Sequence, residues 1–275
     1  MNLPDFAYVR PKTLDEARAL LRDDPEARAL AGGQTLIPAM KQRLSRPSRL
    51  VDLAGIDGLT GIEVTDSLVS VGAMTCHADT AAHPEVRAAI PALSHLASGI
   101  AHPQVRHRGT MGGSIANNDP AADYPAAVVG LGAEIETTAR RIPADAFFTA
   151  MFETALEPGE LVVRIHFPIP HRAGYHKIPS QASGYVTTGC FIADTTAGVR
   201  VAVNGAGPVV FRQTTFEEAL AAEFSPAALD GLTQTADGLN TDIHANAAYR
   251  AHLVSVAARS ALAMALSQTR EDTPA

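Results

Sequence analysis

The stretch AHPQVRHRGTMGGSIANNDPAAD, at residues 101–123, carries the strongest structural signal in the sequence. It combines short polar side chains with glycines, which allow backbone conformations closed to other residues and close approach of a ligand. These residues are Gly109, Gly112, Gly113, Thr110, Ser114 and Asn117. The combination suits a cradle for a phosphate-bearing cofactor. Its spacing alone fits a surface turn between a helix and a strand equally well.

A second glycine stretch, AGGQTL, occupies residues 31–36. The pattern predicts a small buried strand over residues 27–31 and a helix over residues 37–44, whose basic end complements the helix dipole. A strand, a glycine turn and a helix start direct free backbone N–H groups toward one point, which makes a ready anion site.

Composition excludes several classes of protein. A formal net charge of -7 argues against binding to a nucleic-acid backbone. Two cysteines, Cys76 and Cys190, cannot supply a four-cysteine iron–sulfur cluster or a closed cysteine-based zinc site, and we expect no disulfide. Residues 1–6 lack the pattern of a secretion signal, and no apolar run is long enough to span a bilayer. We therefore expect a cytoplasmic protein without a membrane span.

Local patterns predict irregular alternation of helices and strands. Predicted strands cover residues 6–9, 27–31, 50–53, 61–64, 68–72, 133–138, 161–167, 185–194 and 199–204. Predicted helices cover residues 13–21, 37–44, 79–99, 125–131, 144–149, 216–222 and 246–266. Within 79–99, Pro84 and Pro91 either lie near helix starts or break the helix into two pieces. Thr13 and Glu16 form a capping box at the first helix, residues 61–64 and 68–72 form a hairpin, and residues 269–275 form a loose tail.

The length of 275 residues and the 46% hydrophobic content predict two globular domains. We expect the boundary near residues 168–174, where two prolines, two basic groups and a glycine interrupt the pattern. In the long helix near the C-terminus, the spacing predicts one buried face. Its residues are Leu253, Val256, Ala257, Ser260 and Met264.

Two pairs of side chains suggest chemistry of their own. His102 and His107 could bind a metal, but their spacing fits histidines that contact solvent or backbone better. Asp119 and Asp123 flank a proline, so a turn aspartate and an acceptor for a ligand hydroxyl fit better than a catalytic carboxylate pair. We therefore assign no catalytic residue to this chain and expect a cofactor to supply the chemistry.

Several motifs follow one another along almost the whole chain. They are AGGQTL at 31–36, TMGGSI at 110–115 with Asp123, LEPGEL at 156–161, Phe167 with Pro168, Lys177, and YRAHL at 249–253. Each motif is common alone. Their order, spacing and total length together resemble the FAD-binding medium subunits of the xanthine dehydrogenase and carbon monoxide dehydrogenase family.

The resemblance implies that the two glycine loops bind the FAD diphosphate from two sides, through backbone N–H groups. The implied residues are Ala31, Gly32, Gly33, Gln34, Thr35, Leu36, Thr110, Gly112 and Gly113, with Ala101 and Ser114 completing the set. Asn117 and Asp123 would bind ribityl, ribose or phosphate groups. Val162 would contact the flavin ring through its strand, and Lys177 would approach the isoalloxazine.

Two further features allow two interpretations each. Tyr185 stands where related subunits can place an aromatic residue near the flavin, although a buried strand tyrosine fits as well. The basic run Arg106, His107 and Arg108 departs from the family pattern and either helps to hold the diphosphate or forms a solvated edge.

The resemblance also implies the fold class, which is α+β. A two-subdomain FAD-binding domain of the vanillyl-alcohol oxidase/MurB-like (PCMH) type would cover residues 1–172, with subdomains at about 1–55 and 56–172. A C-terminal α+β domain with a small antiparallel sheet and helices would cover residues 173–275. We expect FAD in the cleft between these units.

The implied function is that of an FAD-binding electron-transfer subunit of a molybdenum-containing hydroxylase. A large subunit with a molybdopterin cofactor and a small subunit with 2Fe–2S clusters would be its partners, arranged as a dimer of heterotrimers. The flavin would pass electrons to an external acceptor. The alternatives are a stand-alone FAD oxidase or dehydrogenase and a non-catalytic binding or assembly protein of the same fold.

Overall fold

The computed structural model describes residues 3–267. The strands are β1 (Ala7–Val9), β2 (Arg28–Leu30), β3 (Arg49–Asp52), β4 (Ile62–Val64), β5 (Leu68–Gly72), β6 (Glu134–Thr137), β7 (Arg141–Pro143), β8 (Phe148–Ala150), β9 (Glu153–Thr154), β10 (Val162–Pro168), β11 (Arg172–Pro179), β12 (Val186–Thr195), β13 (Gly198–Asn204) and β14 (Phe211–Arg212). The helices are α1 (Leu14–Asp23), α2 (Leu36–Lys41), α3 (His77–Ala82), α4 (Pro84–Ala89), α5 (Pro91–Ser98), α6 (Pro103–Arg106), α7 (Met111–Asn117), α8 (Tyr124–Gly130), α9 (Ala144–Phe147), α10 (Thr214–Ala222) and α11 (Ala247–Ser267). The expected tail at 269–275 lies outside the described residues.

The first sheet is parallel, in the order β1-β3-β2, and α1 connects its first two strands in sequence. The predicted start of α1 is confirmed, because the Thr13 side chain accepts the Glu16 N–H at 3.2 Å. The Glu16 carboxylate accepts a hydrogen bond from the backbone N–H of Lys12 at 3.0 Å. In a capping box this bond comes from the cap residue itself, Thr13, so the partner is one residue earlier than predicted. The prediction that β2 is buried is wrong, because it is an edge strand with Arg28 exposed.

The second sheet is antiparallel, in the order β4-β5-β10-β6-β7, and it contains the predicted hairpin of β4 and β5. One face is apolar, as expected where an antiparallel sheet covers a core on one side. Its buried side chains are Val69, Val71, Ile135, Ile165 and Phe167. Helices α4, α5, α7 and α8 contribute to the same core. Pro84 and Pro91 begin α4 and α5, as predicted.

The third sheet is antiparallel, in the order β11-β12-β13-β14, and α10 and α11 form a separate apolar core with it. Its first strand was not predicted, since the prolines, basic groups and glycine of residues 168–174 conceal its start. The predicted face of α11 is partly wrong: Val256 is 38% exposed, whereas Val254, Ala258 and Ala261 are buried. This alanine-rich helix is apolar on most sides, so its sequence period does not identify the packed face.

Residues 144–149, predicted as one helix, divide into α9 and the strand β8, which pairs with β9. Cys76 and Cys190 are free thiols, as expected. Among residues 3–267, no helix has the length and apolar character needed to cross a bilayer. The division of the chain at residue 172, and of the first part near residue 55, stays a prediction.

Candidate functional site

The first glycine loop connects β2 to α2, so the predicted order of strand, turn and helix is confirmed. Gly33 has a φ of +70°, a conformation that favours glycine. Within residues 3–267, the N–H groups of Gly33, Gln34 and Thr35 donate to no protein acceptor. Three successive unpaired donors make this turn suited to an anionic group.

The second glycine loop is the start of a helix and not a turn between a helix and a strand. Thr110 caps α7, and its side-chain oxygen accepts the N–H of Gly113 at 3.2 Å. The N–H groups of Met111 and Gly112 donate to the carbonyls of Thr75 and Ala73, at 3.1 and 2.8 Å. The first turn of α7 therefore uses its N–H groups within the protein, so the free backbone donors lie in the first loop.

Close packing brings the two glycine loops together. A Cβ atom on Gly32 would lie 2.1 Å from the carbonyl oxygen of Arg108 and 2.7 Å from the Cα of Gly109. A Cβ atom on Gly113 would lie 3.3 Å from the Cβ of Ala31. The sequence places these loops about 80 residues apart, and the fold places them in van der Waals contact.

One face of α7 is polar. Residues 110, 113, 114 and 117 follow the helical spacing of three to four and therefore share a face. Ser114 and Asn117 are half-buried, and their side chains make no hydrogen bond to the described part of the chain. Because Gly113 of this face packs near Ala31, the free side-chain donors lie on the α7 face that meets the first loop.

A buried ion pair lies six residues beyond the end of α7. Lys177 Nζ is 2.8 Å from Asp123 Oδ1, and the hydroxyl of Tyr175 donates to the same oxygen at 3.0 Å. Burial raises the pKa of Asp123, and the positive charge of Lys177 opposes that rise. Asp123 and Lys177, which the sequence analysis predicts to contact FAD, thus contact one another.

Lys177 also joins two backbone segments near the pair. Its ammonium group donates to the carbonyls of Gly99 and Gly184, at 2.9 and 3.4 Å. These carbonyls are two residues before Ala101 and directly before Tyr185. Ala101 has a φ of +44°, and Arg106 donates to its carbonyl at 2.7 Å. Arg106 therefore holds a turn, whereas His107 and Arg108 are exposed. A contact of the basic run with the diphosphate stays a prediction.

Tyr185 is 51% exposed and precedes β12, so the interpretation as a buried strand tyrosine is wrong. Partial burial, with the charges of Asp119 and Asp123, raises the pKa of its hydroxyl. Asp119 is a turn aspartate, as predicted, since its side chain accepts the N–H of Ala121 at 2.9 Å. Val162 begins β10 with its side chain in the core, which leaves only its backbone for a ligand.

The structure adds His77, for which no sequence pattern indicated a role. A Cβ atom on Gly109 would lie 2.6 Å from its Nε2, so its ring supports the second loop from behind. Burial, with the charge of Arg106, lowers the pKa of His77 to about 4, and the ring is therefore neutral at pH 7. His102 and His107 flank the short helix α6 at its two ends, and both are exposed. In the part of the chain described, no group of three or more metal-ligating side chains forms.

These features define the class of protein: a helix cap and a glycine turn, in contact across the fold, offer backbone and side-chain donors to a diphosphate-bearing cofactor. The family profile described as "FAD binding domain in molybdopterin dehydrogenase" matches residues 4–170. The chain belongs to this family of FAD-binding domains.

Individual relatives resemble the chain over most or all of its length. It is 32% identical to the nicotine 6-hydroxylase medium subunit of Paenarthrobacter nicotinovorans, over 98% of this chain and 100% of that subunit. It is 37% identical to the carbon monoxide dehydrogenase medium chain of Hydrogenophaga pseudoflava, over 76% of this chain and 78% of that one. A chain of the reconstituted CO dehydrogenase from Oligotropha carboxidovorans superposes with a TM-score of 0.91 at 32% identity, covering 98% of this chain and 100% of that chain.

Proposed function

We propose that this chain is the FAD-binding electron-transfer subunit of a molybdenum-containing hydroxylase. The observation that carries the proposal is the contact between Gly32 and the Arg108–Gly109 backbone, which joins the unpaired donors of the first loop to the polar face of α7. The names of the relatives, which are medium subunits or medium chains, favour a subunit over a self-sufficient oxidase.

In this proposal, the FAD diphosphate accepts hydrogen bonds from the backbone N–H groups of Gly33, Gln34 and Thr35. It is bound from the side of α7 by the side chains of Thr110, Ser114 and Asn117. Gly32, Gly112 and Gly113 allow the close approach, and Ala31 and Leu36 flank the turn. Asp123, Lys177, Ala101, Val162 and Tyr185 form the part of the site beyond α7.

Bound FAD would supply the redox chemistry, by accepting electrons from an iron–sulfur cluster and releasing them to a separate acceptor. The chain's own residues bind and orient the cofactor. Lys177 keeps a positive charge beside Asp123 and fixes the turns at Gly99 and Gly184. This arrangement holds the walls of the site in place.

The partners in this proposal are a large subunit with the molybdopterin cofactor and a small subunit with 2Fe–2S clusters, as a dimer of heterotrimers. Substrate would bind to the molybdenum subunit. We place the complex in the cytoplasm, where the free thiols of Cys76 and Cys190 would stay reduced.

The test is Gly113→Asp in the complex, isolated through a tag on this chain after co-expression with its partner subunits. The new carboxylate would stand beside Ala31 and repel the diphosphate, so we expect the complex to lose its flavin absorbance and keep its iron and molybdenum. Ala116→Asp is the matched control, because it adds the same charge to an exposed position of the same helix. Full FAD content in the Gly113→Asp complex would refute the assignment.

A further inference from the structure

A buried guanidinium joins three separate segments behind the site. Arg250, in the first turn of α11, is 4% exposed. It donates to the carbonyls of Thr187 and Gly205, the latter at 2.9 Å, and its Nη2 is 2.6 Å from Asp242 Oδ2. Thr187 lies at the start of β12 and Gly205 directly after β13. One cation therefore ties α11 to the ends of two neighbouring strands.

The same strand ends hold residues 120–122, which lead into Asp123. The N–H groups of Gly205 and Val186 and the side-chain amide of Asn204 donate to the carbonyls of residues 120, 121 and 122, at 2.9, 3.3 and 2.7 Å respectively. Three successive carbonyls are thus held by donors from β12, β13 and the residue after β13.

The corner formed by Asn204 and Gly205 is closely packed against the start of β12. Gly205 has a φ of +78°, and a Cβ atom on it would lie 2.8 Å from the carbonyl oxygen of Thr187. The Asn204 amide also approaches the Tyr175 hydroxyl at 3.4 Å, and that hydroxyl donates to Asp123. A shift of this corner would therefore move Asp123 in two ways: through the backbone of residues 120–122, and through Tyr175, which is hydrogen-bonded to the Asp123 side chain.

We infer that Arg250 is a positioning residue for the FAD site: its guanidinium fixes the corner at Asn204 and Gly205, and that corner sets the position of Asp123. The inference rests on the proposed function. Arg250 acts through backbone carbonyls and has no contact with the glycine loops, so its effect is on the wall of the site that carries Asp123.

The experiment compares Arg250→Met with Arg259→Met in the tagged complex. Arg259 lies on the same helix and holds Asp230 and the Leu229 carbonyl, at 2.8 and 2.7 Å. Within residues 3–267, no hydrogen bond joins residues 229–230 to residues 119–123. Both variants lose charged hydrogen bonds and should lower the unfolding temperature. Only Arg250→Met should raise the dissociation constant for FAD, by about tenfold, as expected for loss of an ordered contact.

Two further variants test the route of the effect. Arg250→Lys keeps the charge and one or two of the bonds, and it should recover part of the FAD affinity. Asn204→Ala should weaken FAD binding, and its effect should not add to that of Arg250→Met, since both act on one corner.

An unchanged FAD dissociation constant in folded Arg250→Met complex would overturn the inference and leave Arg250 a role in stability alone. If Arg250→Met does not assemble, the comparison of Arg250→Lys with Arg259→Lys decides in the same way. A wild-type complex without FAD would instead refute the proposed function.

Discussion

At most glycines of the two loops, a neighbouring segment approaches so closely that a side chain would not fit. Only one of these glycines has a backbone conformation that favours glycine. Gly33 has a left-handed φ, whereas Gly32, Gly112 and Gly113 do not. A Cβ atom on Gly112 would lie 2.5 Å from the Cβ of Ala73, so this glycine lets α7 pack against the chain that follows β5. A substitution there would separate packed segments before it disturbed a turn.

The pair of Asp123 and Lys177 is an ion pair in which both members are largely buried. Both side chains are nearly buried, at 6% and 13% exposure. Removal of one partner from a buried pair leaves an uncompensated charge, which is far costlier than losing a surface pair. The two residues should therefore act on stability as a unit.

Lys177→Met should destabilise the full chain by about 3 kcal/mol at pH 7, as expected for a broken buried pair. Without the cation, burial raises the pKa of Asp123 further above its unfolded value. The unfolded chain then binds fewer protons than the folded chain between those two pKa values, so the variant should lose stability as the pH rises from about 4 toward 7. Thermal unfolding across this range, against wild type, measures the effect.

The double variant Lys177→Met with Asp123→Asn is the control, because it removes the ionisable acid. Its stability difference from wild type should show little of this pH dependence. A constant difference between Lys177→Met and wild type at every pH would show that Asp123 does not depend on Lys177.

The helix α7 carries a different function at each end. Its start is capped by Thr110 beside the first glycine loop. Its end is Asn118, which has a φ of +43° and whose amide donates to the carbonyls of Ala150 and Glu153, at 2.8 and 2.7 Å. The helix thus links the two glycine loops to the hairpin of β8 and β9.

Asn118→Ala should lower the free energy of unfolding by about 2 kcal/mol, because two partly buried hydrogen bonds are lost and alanine is strained at this φ. Protease should then cut the chain faster at the exposed Met151 and Phe152. Asn118→Gly relieves the backbone strain but still lacks the side-chain amide. Its protease resistance should therefore lie between that of wild type and that of Asn118→Ala. Equal protease resistance in wild type and Asn118→Ala would contradict this role.

Sequence patterns predicted most elements because their local signals agree, as with the Thr13 cap and the prolines that begin α4 and α5. They failed where the deciding contacts are distant. The strand β11 depends on its pairing with β12, and the packed face of α11 depends on the sheet beneath it. Sequence motifs indicated both glycine loops, which the fold brings into contact, but the contacts of His77 and Arg250 exist only in the folded chain.

Over the whole molecule, α8 is buried throughout, in one apolar core that joins the second sheet to one face of the third, from which Phe191, Ala193 and Ala202 contribute. Asp123 directly precedes this helix, and the side chain of Lys177, on the third sheet, contacts Asp123. The surroundings of Asp123, which we propose to be part of the FAD site, therefore include the C-terminal part of the chain. Damage to either sheet should cost flavin binding as well as stability.

The most direct test is the cofactor content of the wild-type complex, isolated from its native source through a tag on this chain. We predict that FAD, iron and molybdenum co-purify in fixed proportion to this chain, with FAD released from it on denaturation. A chain isolated without partner subunits and without flavin, from cells with adequate FAD and molybdenum, would contradict the account.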